Sequence, residues 1–188
     1  MTMMDRFNQD RAGNSLSVFV LLVMLVSLML KGYPPRTRGG PWQPWVIPTL
    51  VVLGIGVAAY LSYIEVTHAE AACGPVGDCN TVNQSKYATL FGVLPVGVLG
   101  LMGYGLILLF WIMGRVGPEA SRGNADLALW VSAVFGTLFS IYLTFLEPFV
   151  IGATCAWCLS SALILTLLLW ASAPLAALRW PASAEAGS

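Results

Sequence analysis

Charge is the scarcest ingredient of this chain. Nine basic and nine acidic side chains in 188 residues make 10% of the composition, and the formal net charge is zero. A soluble domain carries about 25% charged residues, so this complement is too small to solvate the outside of a globule. Hydrophobic residues reach 57%, with a mean hydropathy of +0.78. A concentrated basic face is missing as well, which argues against a nucleic-acid partner. No GxGxxG, Walker or HExxH pattern occurs. His68 is the single histidine, too few for a histidine metal cluster, and no metal is expected. Cysteine is rare enough that its four positions are read one by one.

The long apolar runs dominate what remains. Asp, Glu, Lys and Arg are absent from 12–30, 39–64, 87–114, 127–146 and 148–178. About 20 helical residues cross a hydrocarbon core, and helices satisfy their own backbone in lipid. Trimming at Pro and Gly predicts five membrane helices over 14–31, 46–64, 92–113, 127–147 and 154–172. Pro48 and Pro95 suit first turns, while Pro148 and Pro174 are expected to end the fourth and fifth helices. The first run resembles the apolar part of a signal peptide, but Lys31-Gly-Tyr-Pro-Pro follows it in place of a small-residue cleavage site, so a retained helix is expected.

Five spans put the termini on opposite sides. With 32–45 cytoplasmic, that side holds Lys31, Arg36, Arg38, Arg115, Arg122 and Arg179, against Arg6, Arg11 and Lys86 outside. This fits the positive-inside bias. The outer side then carries the loop 65–91, the turn 148–153 and all four cysteines, facing a compartment where disulfides persist.

The first pair is Cys73-Gly-Pro-Val-Gly-Asp-Cys79, whose Gly and Pro permit a reversal that brings the thiols within disulfide range. The second is Cys155-Ala-Trp-Cys158 at a helix start, where i and i+3 share a face. The helix N-terminus is expected to lower the Cys155 pKa. Two pairs at one membrane surface suit thiol–disulfide exchange by direct attack of one on the other, with a lipid-soluble quinone the natural oxidant for the pair beside lipid. Two structural disulfides clamping a non-catalytic scaffold, a thiolate zinc site and unrelated cysteines are the alternatives.

The stretch "CGPVGDCNTVNQSKYATLFGVLPVGVLG", followed two helices later by "CAWC", resembles the vitamin K epoxide reductase family, particularly its bacterial disulfide-forming members. The likeness extends over about 46–172 and includes a serine six residues after Cys79, the Phe91-Gly92 turn and the helix order. It implies an all-α polytopic membrane protein: a four-helix bundle around a quinone, capped by the cysteine loop and a short helix. Here an N-terminal helix with a cytoplasmic linker (1–45) would precede the bundle (46–172), and a cytoplasmic tail (173–188) would follow.

By that resemblance Cys73 and Cys79 are the shuttle pair and Cys155 and Cys158 the pair beside the quinone. Cys73 exchanges with the partner, Cys79 attacks Cys155, and Cys158 passes electrons to menaquinone or ubiquinone. Ser85 matches a polar residue near the loop and quinone. Phe91, Pro95, Tyr142, Phe149 and Trp157 are the other candidate quinone contacts, although such rings also gather at membrane interfaces irrespective of function. The protein is expected in a bacterial inner membrane with its active site on the extracytoplasmic face.

Many bacterial members carry a fused thioredoxin-like domain. Only about 16 residues follow 172, so a separate periplasmic or extracytoplasmic thioredoxin-fold partner is expected. Animal enzymes place an asparagine and a tyrosine against the quinone oxygen where Ala88 and Ala162 stand here, which favours plain quinone reduction over epoxide reduction. Glu65 and Glu147 flank outer helix ends and read as water-accessible. Lys86 reads as an interfacial lysine, and Asp78 as a solvated charge or one that raises the Cys79 pKa. The N-terminal helix has no evident role beyond orientation or packing.

Overall fold

A computed structural model describes residues 3–32, 45–73, 77–90 and 93–177. The expected linker (33–44), the end of the tail (178–188) and Phe91 lie outside these residues. The short α1 (Met3–Phe7) leads into α2 (Arg11–Lys31), then come α3 (Val46–Thr67) and the one-turn α4 (Cys79–Asn83). A two-residue hairpin pairs β1 (Thr89–Leu90) with β2 (Leu94–Pro95). After it run α5 (Val96–Val116), α6 (Glu119–Leu146) with a π-helical turn at Glu147–Ile151, and α7 (Ala156–Ala177).

Among the described residues, five helical segments, built on α2, α3, α5, α6 and α7, are long and apolar enough to cross a membrane. The chain is an all-α polytopic membrane protein. Four of these helices close a ring, α3 on α5, α5 on α6, α6 on α7 and α7 on α3, while α2 packs outside against α6 and α7. Several hydroxyls inside the spans are satisfied locally: those of Ser62, Thr137 and Thr166 donate to carbonyls one turn back at 2.7–2.8 Å, which suits a lipid surrounding. Gly54 lets α3 reach the buried Tyr104 ring on α5, since a Cβ there would meet Tyr104 Cε1 at 2.2 Å.

Several helix boundaries differ from expectation, among them the start of the fourth helix, which lies at Glu119 and not at 127. Pro148 does not end the fourth helix. Having no N–H, it cannot donate into the α-helical ladder; the turn widens, and Gly152 N–H donates to Glu147 O at 2.7 Å. Pro174 does not end the fifth, because a proline in the last turn of a membrane helix forfeits only one bond; α7 runs on to Ala177. The third starts at Val96, after the hairpin, with Pro95 as its N-cap residue.

The two ends of the bundle differ in chemistry. At one end the Lys31 ammonium lies 4.7 Å from the Trp170 ring and Arg115 lies 5.8 Å from Trp111. Trp130 Nε1 donates there to Lys31 O at 3.1 Å. Such a belt of cations and indoles is the usual composition of a membrane boundary. The opposite end carries all four cysteines in a second, smaller core with Leu61, Ile64 and Val82.

Candidate active site

Both cysteine pairs start a helix, and both use it alike. Asp78 caps α4 by accepting from Thr81 N at 3.1 Å, which places Cys79 in the first turn, and Cys79 N–H donates to Cys73 Sγ at 3.1 Å. At the head of α7, Cys158 N–H donates to Cys155 Sγ at 3.3 Å. The first sulfur of each pair therefore sits over backbone N–H groups. Asp78 serves as a cap, and its bonds from Thr81 hold its carboxyl below the usual range.

The pairs also touch each other. Side-chain contacts join Cys73 to Cys79, Cys79 to Cys155 and Cys155 to Cys158, so the four thiols form one line. Its middle members, Cys79 and Cys155, are fully buried, and its ends, Cys73 and Cys158, are half-buried. Gly77 makes this approach possible. Its φ of +91° is left-handed, and an added Cβ would lie 2.4 Å from Thr154 O, immediately before Cys155, so only glycine fits both demands.

Trp157 locks the loop in place. Its indole N–H donates to Ala72 O at 3.0 Å, while Ala72 N–H donates to Tyr60 Oη at 2.9 Å. The Tyr60 and Trp157 rings meet at 4.6 Å between centroids. The residue between the CxxC cysteines thus fastens the first pair's loop over the second pair.

Thiol acidity runs against the expected direction. The Cys158 thiol, burial and the Glu147 charge raise the Cys155 pKa in spite of the helix N-terminus. Contact with Cys155 and burial raise Cys79. Burial and the Cys79 thiol push Cys73 up to about 11. Alkylation of reduced Cys73 is therefore expected to accelerate about tenfold per pH unit from pH 7 to 10, because only the thiolate reacts; a plateau near pH 8 in quenched iodoacetamide time courses would contradict it. The same shift sets a linkage. From pH 9 to 11 the unfolded chain loses this proton first, so the reduced protein loses stability as pH rises, and Cys73 adds no pH dependence below that window.

Cys158 faces two cavities. The smaller, about 40 Å³, is lined by Glu65, Glu147, Asn83, Ser85 and Ala88 as well as Cys158. Ser85 Oγ and Asn83 Nδ2 are buried there without a hydrogen-bond partner. The larger, about 550 Å³, lies between α3, α5, α6 and α7, with Tyr104, Gly103, Phe139 and Ser161 among its lining. Tyr104 Oη meets Ser161 Oγ at 2.9 Å. Met102, Leu106, Val131 and Phe135 line this cavity and are also exposed on the outside of the bundle, so its mouth opens sideways between α5 and α6.

Of the residues expected near a quinone, the structure places Ser85 in the small cavity. Pro95, Tyr142, Phe149 and Trp157 line neither cavity. Pro95 pairs with Thr89 in the hairpin, Tyr142 is exposed beside Phe139, and Phe149 stacks on Phe145. Ala88 borders the small cavity, whereas Ala162 is packed with Val20 and Met24 of α2. Lys86 lies over the Tyr87 ring at 5.1 Å, and His68 takes a left-handed conformation that ends α3.

Glu147 was expected in water and is 2% exposed. Its Oε2 accepts from Ser17 Oγ at 2.9 Å and from Cys155 N at 3.4 Å. Glu65 is half-buried, accepting from Gly97 N at 2.7 Å. Sequence reasoning also passed over Asn14, Ser17, Thr154 and Tyr104. The polar pair Asn14 and Ser17, three apart at the head of an apolar helix, was the one available signal.

The sequence pattern of the vitamin K epoxide reductase family matches residues 45–173. Among curated proteins, the thiol-disulfide oxidoreductase LTO1 of Arabidopsis thaliana is 32% identical over 112 residues, covering 56% of this chain and 29% of that protein. The chain thus spans less than a third of that relative's length. No solved structure matches the chain.

Proposed function

The chain belongs to the vitamin K epoxide reductase family, and on that footing we propose that it is a membrane thiol oxidase that makes protein disulfides at the expense of a quinone. The observation that carries this reading is the unbroken line of four thiols from a half-buried loop cysteine to a cysteine on an intramembrane cavity. A reduced thioredoxin-fold protein attacks the Cys73–Cys79 disulfide at Cys73 and leaves as its own disulfide. Cys79 then attacks Cys155 of the Cys155–Cys158 disulfide, and Cys73 resolves the mixed bond. The resulting Cys155–Cys158 dithiol gives two electrons and two protons to menaquinone or ubiquinone and closes its disulfide again.

Quinone is the acceptor that suits the cavity wall. The large cavity is apolar, opens towards lipid and ends at Cys158, and its volume is in the range of small-molecule sites. Ser85 Oγ and Asn83 Nδ2 are unengaged polar groups on the other side of Cys158, available to a quinone oxygen. Ala88 and Ala162, where the animal enzymes resembled here carry polar side chains, favour plain quinone reduction. In the topology expected from the sequence, six of the nine basic residues belong to the side away from the cysteines, which supports a bacterial inner-membrane orientation with the thiols extracytoplasmic.

Purified protein in detergent, a reduced thioredoxin-fold donor and a soluble quinone test this reading. Ultraviolet absorbance is expected to show one quinone reduced per donor disulfide formed. Folded protein that turns over none of several donors and quinones would return the cysteines to the scaffold alternative.

A further inference from the structure

The N-terminal membrane helix lies outside the family match, yet it reaches the redox site. Asn14 and Ser17 of α2 are 0% exposed, and each points at the segment that leads into Cys155. Asn14 Nδ2 donates to Gly152 O at 3.3 Å, and its Oδ1 accepts from Thr154 Oγ1 at 3.1 Å. Ser17 Oγ donates to Glu147 Oε2 and lies 3.0 Å from Thr154 Oγ1. Glu147 Oε2 in turn accepts from the Cys155 amide. Gly152, Thr154 and Cys155 are thereby tied, directly or through Glu147, to two side chains of α2.

We propose that α2 completes the redox site, with Asn14, Ser17 and Glu147 as positioning residues that hold the Thr154–Cys155 backbone so that Cys155 Sγ meets Cys79. The inference rests on the thiol relay above and adds a part to it.

Polar residues on neighbouring membrane helices often serve only as glue. Here, however, the bonds converge on three residues of one loop, at the Gly152 carbonyl, the Thr154 hydroxyl and the Cys155 amide. That loop is also the surface against which the other cysteine loop is seated, Gly77 lying on Thr154 O. A loop released from α2 keeps both cysteines and loses their alignment, and small misplacements of reacting atoms cost rate steeply.

The exchange between the pairs can be isolated in a Cys158→Ser chain whose loop disulfide is oxidised. The Cys155 thiolate attacks Cys79 Sγ. The Cys79–Cys155 bond forms, the Cys73–Cys79 bond breaks, and Cys73 leaves as a thiolate that takes up a proton. No net oxidation occurs, and mass spectrometry of quenched peptides follows the product. In this background Ser17→Ala and Asn14→Ala are expected to slow bond formation about tenfold or more. Phe19→Ala, on the exposed face of the same helix, stays within about twofold of the parent.

A positioning role has its own signature: adding Ser17→Ala to Glu147→Ala gives no further loss, because both act through one set of bonds. Parent rates in folded Ser17→Ala and Asn14→Ala chains, or losses of Ser17→Ala and Glu147→Ala that multiply, overturn the proposal. If the variants do not accumulate, the unaltered chain decides. Its Cys155 amide must exchange hydrogen as slowly as mid-helix amides, and exchange at open-loop rates overturns it. A Cys158→Ser chain that never forms the Cys79–Cys155 bond, with α2 intact, refutes the relay reading instead.

Discussion

Under the proposed relay from thiol to quinone, Cys158→Ser is expected to abolish quinone reduction, lowering turnover by about 10³-fold or more, and to leave the protein arrested as a Cys79–Cys155 disulfide. The loss is this large because an obligatory covalent participant disappears, in contrast to a side chain that merely lowers a barrier. Cys158 is the member of the line that borders both cavities, so electrons reaching Cys155 have no second exit. The arrest follows from burial. Cys79 and Cys155 are both 0% exposed, so a disulfide between them is shielded from external thiols, and Cys73 is its one neighbouring resolving group in the line. Non-reducing peptide mapping after oxidation of the loop should recover the 79–155 pair as the main species. Recovery of 73–79 alone would mean that the two pairs do not exchange.

The two cysteine pairs were legible in the sequence because each depends on local spacing. A six-residue Gly/Pro reversal and a CxxC at a helix start each set their own geometry, and the five apolar runs place them at one membrane face. What the sequence concealed depends on contacts far along the chain. Glu147 sits between two charge-free runs and reads as a solvated boundary residue. Its burial is eased by hydrogen bonds from the Cys155 amide and from Ser17, 130 positions away, and nothing near Glu147 announces the second partner. The described aromatic candidates line neither cavity for a rotational reason. Tyr142 lies on the same helix as the cavity-lining Phe139 and Leu143, yet one residue's rotation on a helix is about 100° and turns a ring from cavity to lipid. Trp157, immediately before the cavity-lining Cys158, is turned towards the loop by its bond to Ala72. Pro148 and Pro174 misled in the same way, since a membrane helix tolerates prolines that would stop a soluble one.

Gly103→Phe separates the electron acceptor's site from the thiol relay, and its expected effect is confined to quinone. Gly103 lines the large cavity, and a Cβ added there meets no atom within 4 Å. A side chain at this point of α5 therefore starts in space that is empty of protein and extends into the cavity that Gly103 lines. Gly56 on α3 offers equally open space but does not line the cavity, so Gly56→Phe carries the same gain in bulk and helix propensity as a control. If quinone reaches Cys158 through this cavity, Gly103→Phe should lower kcat/KM for quinone about 100-fold, equivalent to about 2.7 kcal/mol. Gly56→Phe should stay within about twofold. Single-turnover oxidation of the donor by the pre-oxidised enzyme draws only on the disulfides and should proceed at the parent rate in both variants. Equal quinone kinetics in the two would rule out the large cavity as the acceptor's route to Cys158. Loss of donor oxidation in Gly103→Phe alone would instead mean that α5 carries strain up to the cysteine loop through the hairpin at its N-terminus.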